Sequence, residues 1–243
     1  MRTDLVIAGA GGFAREAAAA VHAVNEVRPT FRLLGFLDDD PSLVGTCRAG
    51  LSILGGVDSV REPGHELADV MVVVCVGNPR DYQARQRIVE RLGLPAGRYA
   101  TVVHPTAAVA PDSQIGPGSV LLAQVVATAA VRIGSHVAVM PQVVLTHDNV
   151  IGDFATLASG VRLGGSVHIG TGAYVGAGAL VREGLTVGRW SQVGMGSLVL
   201  SDVPDNQVVV GSPARYLREA TPGGVAEFAN GVPNGHTRVR HGS

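Results

Sequence analysis

Leu145-Thr146-His147-Asp148-Asn149-Val150-Ile151-Gly152-Asp153-Phe154-Ala155-Thr156-Leu157-Ala158-Ser159-Gly160-Val161-Arg162-Leu163 returns to an aliphatic side chain at every sixth residue. Followed outward in the same step, the column begins at Val103 and passes Val109, Ile115, Leu121, Ala127, Ile133 and Val139. Beyond Leu163 it continues through Ile169, Val175, Val181, Val187, Val193 and Val199. All 17 positions are aliphatic, and no insertion or deletion breaks the step. In a chain that is 46% apolar, chance would give such a column roughly a few times in a million trials. A second column, four residues later, is small or β-branched from Ala107, Ser113 and Ser119 through Val125 to Ser197 and Val203, with Asn149 and Leu185 as exceptions. Glycine often follows the lead aliphatic, as at Gly116, Gly134, Gly152 and Gly164.

A period of six fits neither a helix at 3.6 residues per turn nor a two-faced strand at 2.0. It fits a short strand followed by a corner. Three such units close a triangular coil, and stacked coils run as parallel strands about 4.8 Å apart. The aliphatic column then points inward, each side chain contributing roughly 1.5–3 kcal/mol when fully buried, while small residues fill the tight inner side of each turn. The run from Val103 makes between five and six coils.

Residues 1–102 follow another grammar. Asp4-Leu5-Val6-Ile7-Ala8 predicts a strand, Gly9-Ala10-Gly11-Gly12-Phe13-Ala14-Arg15-Glu16 a glycine loop, and Ala17 to Val27 a helix. Such a loop lets backbone approach a phosphate at a helix N-terminus. A second strand, Arg32–Leu37, runs into Asp38-Asp39-Asp40, where acidic residues can accept hydrogen bonds from a ribose. A third, Val70–Val76, leads to Gly77-Asn78-Pro79-Arg80 and a helix from Asp81 to Leu92. The order predicts a parallel α/β sheet. Ligand binding and a purely structural tight turn are both open for this loop, because Ala14 stands where the third glycine of the fingerprint would be.

Composition narrows the function. The 243 residues carry a net charge of -1, so no basic footprint points to nucleic acid. Charged residues at 16% and aromatics at 4%, against 33 glycines, suit short aliphatic strands and many corners. Two cysteines, Cys47 and Cys75, make no disulfide framework. The longest apolar run, Val70 to Val76, is far short of the ~20 residues that span a membrane. With no signal-peptide pattern at the start, the expectation is a soluble cytoplasmic protein without membrane contact. The polar, aperiodic residues 220–243 are expected to be a disordered tail.

The run Val103–Pro204, followed by Val210–Arg215, resembles the hexapeptide-repeat acyltransferases. That resemblance implies a left-handed parallel β-helix over residues 103–219, acetyl-CoA as acyl donor and a homotrimer. With the α/β domain in front, the chain resembles the family of sialic acid O-acetyltransferases and nucleotide-amino-sugar N-acetyltransferases. Gly9–Glu16, Gly35-Phe36-Leu37-Asp38-Asp39-Asp40, Gly77-Asn78, His104-Pro105, Thr146-His147-Asp148 and Gly211–Arg215 carry the likeness. It implies a nucleotide-sugar site at Gly11, Gly12, Arg15, Asp38, Asp39, Gly77 and Asn78. Two departures bear on the substrate: Phe13 stands where many members carry His, and Thr156 where some carry a second His.

Acyl transfer from a thioester needs a base for the attacking group and donors for the oxyanion. The resemblance makes His147 the base, with Asp148 beside it able to orient the ring. Gly165 lies one coil on and is the expected oxyanion donor. Ala177 and Met195 match positions whose backbone meets pantetheine, and Arg215 a position near the nucleotide end of coenzyme A. In the expected trimer, His147 of one chain faces the Gly165–Met195 side of the next. His136 and His168, at outward positions, are expected on the surface, and His104 in a structural role. No short-spaced histidine pair points to a metal. The leading expectation is N-acetylation of a nucleotide-linked amino sugar. O-acetylation of a sugar such as a sialic acid, and a non-enzymatic trimeric scaffold that senses a nucleotide, are the alternatives.

Overall fold

The computed structural model describes residues 2–62, 64–78 and 80–220. The chain opens with β1 (Thr3–Ala8), α1 (Gly12–Val27), β2 (Phe31–Leu37), β3 (Cys47–Arg48), β4 (Leu51–Gly55), β5 (Met71–Val74) and α2 (Ala84–Leu92). The sheet order is β3-β4-β2-β1-β5, and β1 lies parallel to both β2 and β5. This is the expected Rossmann-like layer, with three differences. Helix α1 starts at Gly12, ahead of the expected Ala17, with Gly11 as its N-cap. Helix α2 starts at Ala84, because Asp81 N–H closes a turn on Asn78 O instead. The hairpin β3–β4 escaped the sequence reading. Its two-residue turn, Ala49-Gly50, holds both residues at positive φ, a geometry that suits strand twist but that Ala-Gly signals weakly. Gly35 admits β4 beside β2: a Cβ there would fall 2.5 Å from Ser52 O.

From Val102 onward the architecture is a left-handed parallel β-helix. Seventeen two-residue strands run from Val102–Val103 to Leu198–Val199, and in each the second residue is the aliphatic of the six-residue column. Strands one coil apart pair in parallel, as Thr156↔Tyr174 and Leu157↔Val175 do, and they sort into three sheets. Lead residues such as Leu121, Leu145, Leu157 and Val175 are fully buried in one continuous core. Val103, Val109 and Ile115 of the first coil are only partly covered. At the far end Gln207–Val210 extends one sheet and pairs antiparallel with Arg215–Glu219.

The corners have a conformation that the period does not announce. From Gly118 to Gly196 every sixth residue has positive φ, and eight of these 14 are not glycine, among them His136, Asp148 and Phe154. Left-handed backbone at a residue with Cβ costs roughly 1 kcal/mol or more. Hydrogen bonds across the stack offset it: Asp148 N–H donates to Ala129 O at 3.0 Å and Phe154 N–H to Ser135 O at 2.9 Å.

The two parts are locked together. Ala14, Ala17 and Ala18 of α1 share a core with Val102, Val120, Leu122 and Ala138 on the outer face of one β-helix sheet. Arg85 of α2 is buried against the same prism. Its Nε donates to His136 O (2.8 Å), its Nη2 to Phe154 O (2.7 Å), Ala155 O (3.1 Å) and Thr156 Oγ1 (2.9 Å), and its Nη1 back to Val76 O (3.3 Å). Burial lowers its pKa to about 10, so the guanidinium stays charged at neutral pH.

This docking corrects the expectation for His136. Its ring is buried rather than on the surface, stacked on Phe154 with centroids 5.2 Å apart and edge-on to Tyr99 at 4.5 Å. Ala220, expected at the start of the tail, is buried and donates to Asn206 O at 2.7 Å. The rest of that tail, residues 221–243, lies outside the described residues.

Burial first and the Arg85 charge second push the His136 pKa from 6.5 down to about 4, with Asp153 opposing. Between those two values the unfolded chain binds a proton that the native ring refuses, so stability is full above pH 6.5 and falls as pH drops toward 4. Denaturant melts across this range should show a smaller acid loss for His136→Phe than for the parent chain.

Candidate active site

His147 and Asp148 stand on one edge of the prism, after the strand Val144–Leu145. The left-handed φ of +61 at Asp148 turns its carboxylate back to the ring, where Oδ2 meets His147 Nδ1 at 2.8 Å. Both side chains are more than half exposed. A proton on Nδ1 shared with Asp148 leaves Nε2 with its lone pair free, the state a general base requires.

Gly165, one coil on, belongs to the same edge. A Cβ at this position would fall 2.4 Å from His147 Cε1 and Nε2, so the imidazole lies directly over the glycine. Among the described residues the Gly165 N–H donates to nothing, while Gly165 O accepts from Gly184 N–H at 2.8 Å. A free base and a free N–H thus stand side by side, as attack on a carbonyl and stabilisation of its oxygen require.

Ala177 and Met195 occupy a different edge, between the sheets that hold Tyr174–Val175 and Leu180–Val181. The expected Gly165–Met195 side is therefore two sides: Gly165 stays with its own His147, and Ala177 and Met195 lie across the prism. Met195 is 80% exposed, without packing of its own to explain an apolar side chain there. Arg215 lines a cavity of about 360 Å³ at the C-terminal end with Asp202 and Tyr216.

The glycine loop frames a cavity of about 210 Å³, walled by Gly9, Gly11, Gly12, Phe13, Asp38 and Gly77 among others. Helix α1 starts there with no side-chain cap, and a Cβ at Gly11 or Gly12 would meet nothing within 4 Å. The glycines leave room for something other than protein. Asp38 Oδ2 accepts from Ala10 N–H at 3.0 Å and shapes the loop. Asp39 is not brought here: its carboxylate holds Arg91 at 2.6 Å and accepts from Val57 N–H at 3.0 Å. Arg15 is exposed and, like Asn78, is not part of the wall; Asn78 Oδ1 accepts from Arg80 N–H at 2.9 Å.

A second cavity, about 280 Å³, shares Gly12, Phe13 and Gly77 with the first and extends over the β-helix to Thr156, Tyr174 and Ala177. The sequence reading missed it, together with Arg85 in its wall. One signal was present: Val102, Val120 and Ala138, one coil apart, are apolar and outward on this face, where another face of the prism carries Gln114, Arg132 and His168. His104 does have a local role, its Nδ1 accepting from Thr106 N–H at 3.1 Å. Among the described residues no group of His, Cys, Asp and Glu is placed to hold a metal, and no helix is long and apolar enough to cross a membrane.

The described chain is therefore a hexapeptide prism with a histidine on its edge, behind a Rossmann-like layer. Residues 4–92 match the PglD N-terminal domain. UDP-N-acetylbacillosamine N-acetyltransferase of Bacillus subtilis (strain 168) is 34% identical over 121 residues, which are 49% of this chain and 51% of that protein; the chain spans about half the length of this curated relative. PerB from Caulobacter crescentus, solved with CoA and GDP-perosamine, superposes with a TM-score of 0.76 at 26% identity, covering 88% of this chain and 97% of that one. The acetyltransferase domain of PglB from Neisseria gonorrhoeae FA1090, solved with acetyl coenzyme A, gives 0.77 at 27% identity over 89% and 100%. The chain is thus similar at its start to the PglD N-terminal domain and, over most of its length, to PerB and the PglB acetyltransferase domain.

The contact between Gly165 and the ring gives a direct test. Gly165→Ala should fold normally yet displace the imidazole, seen as a change in the His147 ring resonances by NMR. Unchanged resonances would show that the ring does not rest on the glycine.

Proposed function

We propose that this protein transfers the acetyl group of acetyl-CoA to the amine of a nucleotide-linked amino sugar, with residues 1–102 holding the acceptor and 103–219 the donor. The observation that carries the reading is the His147 ring lying over Gly165, whose N–H is free, in a chain whose two α/β-side cavities meet at Gly12, Phe13 and Gly77. The relatives solved with CoA, acetyl-CoA and GDP-perosamine support the choice of ligands.

In this reading the uncapped start of α1 receives the diphosphate, because its free N–H groups and dipole favour negative charge. Asp38, Gly11 and Gly12 shape that cavity. The sugar lies over Phe13, Thr156 and Tyr174. His147 Nε2 takes the proton that the amine loses as its nitrogen bonds to the thioester carbon, and Asp148 stabilises the imidazolium. Gly165 N–H donates to the oxygen as charge develops there. The C–S bond breaks, and the thiolate leaves with a proton to give free coenzyme A and the amide. In the same reading backbone N–H groups of Ala177 and Met195 meet the pantetheine arm, and Arg215 the nucleotide end. Both substrates are charged, water-soluble compounds, which fits a cytoplasmic location.

His147 and Ala177 stand on different edges of one prism, so a single chain does not bring its base to its own acceptor cavity. We therefore assign a homotrimer in which the His147–Gly165 edge of one copy faces the Ala177–Met195 edge of the next. Light scattering should give three copies per particle; an active monomer would refute the arrangement.

His147→Ala should lower kcat by roughly 10²–10⁴ without loss of fold. The exposed His168 is the matched control, since the buried His136 is not; His168→Ala should leave turnover near the parent value. Coenzyme A release with a panel of nucleotide amino sugars reads both, and equal activity of the two variants would end the assignment.

A further inference from the structure

Asn149 is the one amide in the small-residue column. It is fully buried inside the prism, where Val125, Val131, Val137, Val143, Val161 and Val167 hold equivalent places. Its Nδ2 donates to Gly164 O at 2.8 Å, and its Oδ1 has no partner. The nitrogen must face Gly164, since a carbonyl only accepts. Leaving the other amide atom buried and unpaired is unfavourable, and valine would avoid it. The residue keeps a costly group in order to reach one carbonyl.

That carbonyl is the other end of the peptide unit that carries the Gly165 N–H. The unit is planar, so whatever fixes Gly164 O fixes the direction of the N–H. It lies between two glycines, whose backbone is the least restrained of any residue, and Gly165 must stay a glycine because the His147 ring occupies its Cβ position. Anchors must come from elsewhere, and the coil of His147 supplies two: Thr146 Oγ1 donates to Leu163 O at 2.9 Å, and Asn149 to Gly164 O. A donor on the carbonyl also polarises the peptide and strengthens its N–H as a donor.

Two other coils make the same bond over the same step along the chain, Ser119 Oγ to Gly134 O at 2.8 Å and Thr101 Oγ1 to Gly116 O at 3.2 Å. Neither leaves a free N–H. The residue after Gly116 is Pro117, which has none, and Ser135 N–H is taken by Asp153 Oδ1 at 2.7 Å. Of the three anchored peptides, that of Gly165 alone keeps its donor open, beside a histidine.

We propose that Asn149 is a positioning residue that holds and polarises the Gly164–Gly165 peptide so that its N–H meets the thioester oxygen. This rests on the assignment of Gly165 as oxyanion donor. The test needs no acceptor: infrared difference spectra of the full chain with acetyl-CoA carrying ¹³C at the thioester carbonyl report the hydrogen bond to that oxygen as a downshift of its stretch. Asn149→Val should melt no lower than the parent and bind coenzyme A within about twofold, yet lose at least half of the downshift. Asn149→Ser should recover most of it, since Ser119 shows that a serine there reaches the carbonyl; Asn149→Ala serves should valine prevent folding. A full downshift in Asn149→Val, with Gly165→Pro, which lacks the N–H as Pro117 and Pro141 do at equivalent corners, abolishing it, would overturn the role of Asn149 and leave Gly165 as the donor. No downshift in the parent chain would remove the Gly165 assignment and this proposal with it.

Discussion

A single coil of the prism can bury almost nothing by itself. Its strands are two residues long, and their N–H and C=O groups point up and down the prism axis toward the neighbouring coils. Only stacking satisfies both needs at once: Val144 N–H donates to Val161 O and Thr156 N–H to Ala173 O across coils, while Leu145 meets Leu163 and Ala127 inside. The register is strict, because a shift of one residue would turn the inward column outward. Everything else on the prism inherits that register. His147 and Gly165 adjoin because one full coil separates them along the chain, and Asn149 reaches Gly164 because its amide spans to the corner that precedes its own position in the next coil.

Two of the contacts that join the α/β layer to this ruler differ in character. The alanine face of α1 supplies apolar area against Val120 and Ala138. Arg85 supplies direction, since a guanidinium with five N–H donors in a fixed fork meets its carbonyl acceptors in few orientations. It ties Val76, next to Gly77 of the glycine-loop cavity, to Thr156 on the prism. The proposed acceptor site spans these two parts, so its shape depends on how firmly that fork holds. Phe13 and Thr156, the departures from the related sequences, both line the cavity between the parts; the chain's own substrate preference would be written there.

The prism was legible in the sequence because its constraint is local and repeated: a fixed spacing needs no knowledge of the rest of the molecule. That His147 and Gly165 adjoin was legible for the same reason, while the role of base came only from the resemblance; the structure brings His147, Asp148 and Gly165 together where the stacking of coils puts them. What the sequence concealed depends on contacts between distant elements. His136 occupies an outward position, and only the docking of α2 and Tyr99 buries it. Asp39 follows the second strand as a ribose ligand would, yet Arg91, far along the chain, holds its carboxylate. The β3–β4 hairpin turns on Ala-Gly, too common a pair to signal a turn, and Gly35 announces the close approach only once its neighbour is known.

The half-covered first coil at Val103, Val109 and Ile115 gives the α/β layer another part to play. A solenoid needs a cap wherever its repeats stop, or its open end and apolar flank invite association with other chains. The Gln207–Glu219 hairpin closes one end. Along the flank of the first coils, α1 shields Val102, Val120, Leu122 and Ala138 from water. The same helix whose N-terminus opens onto the glycine-loop cavity thus keeps those coils covered, so a change along it alters the cavity mouth and the flank of the prism together.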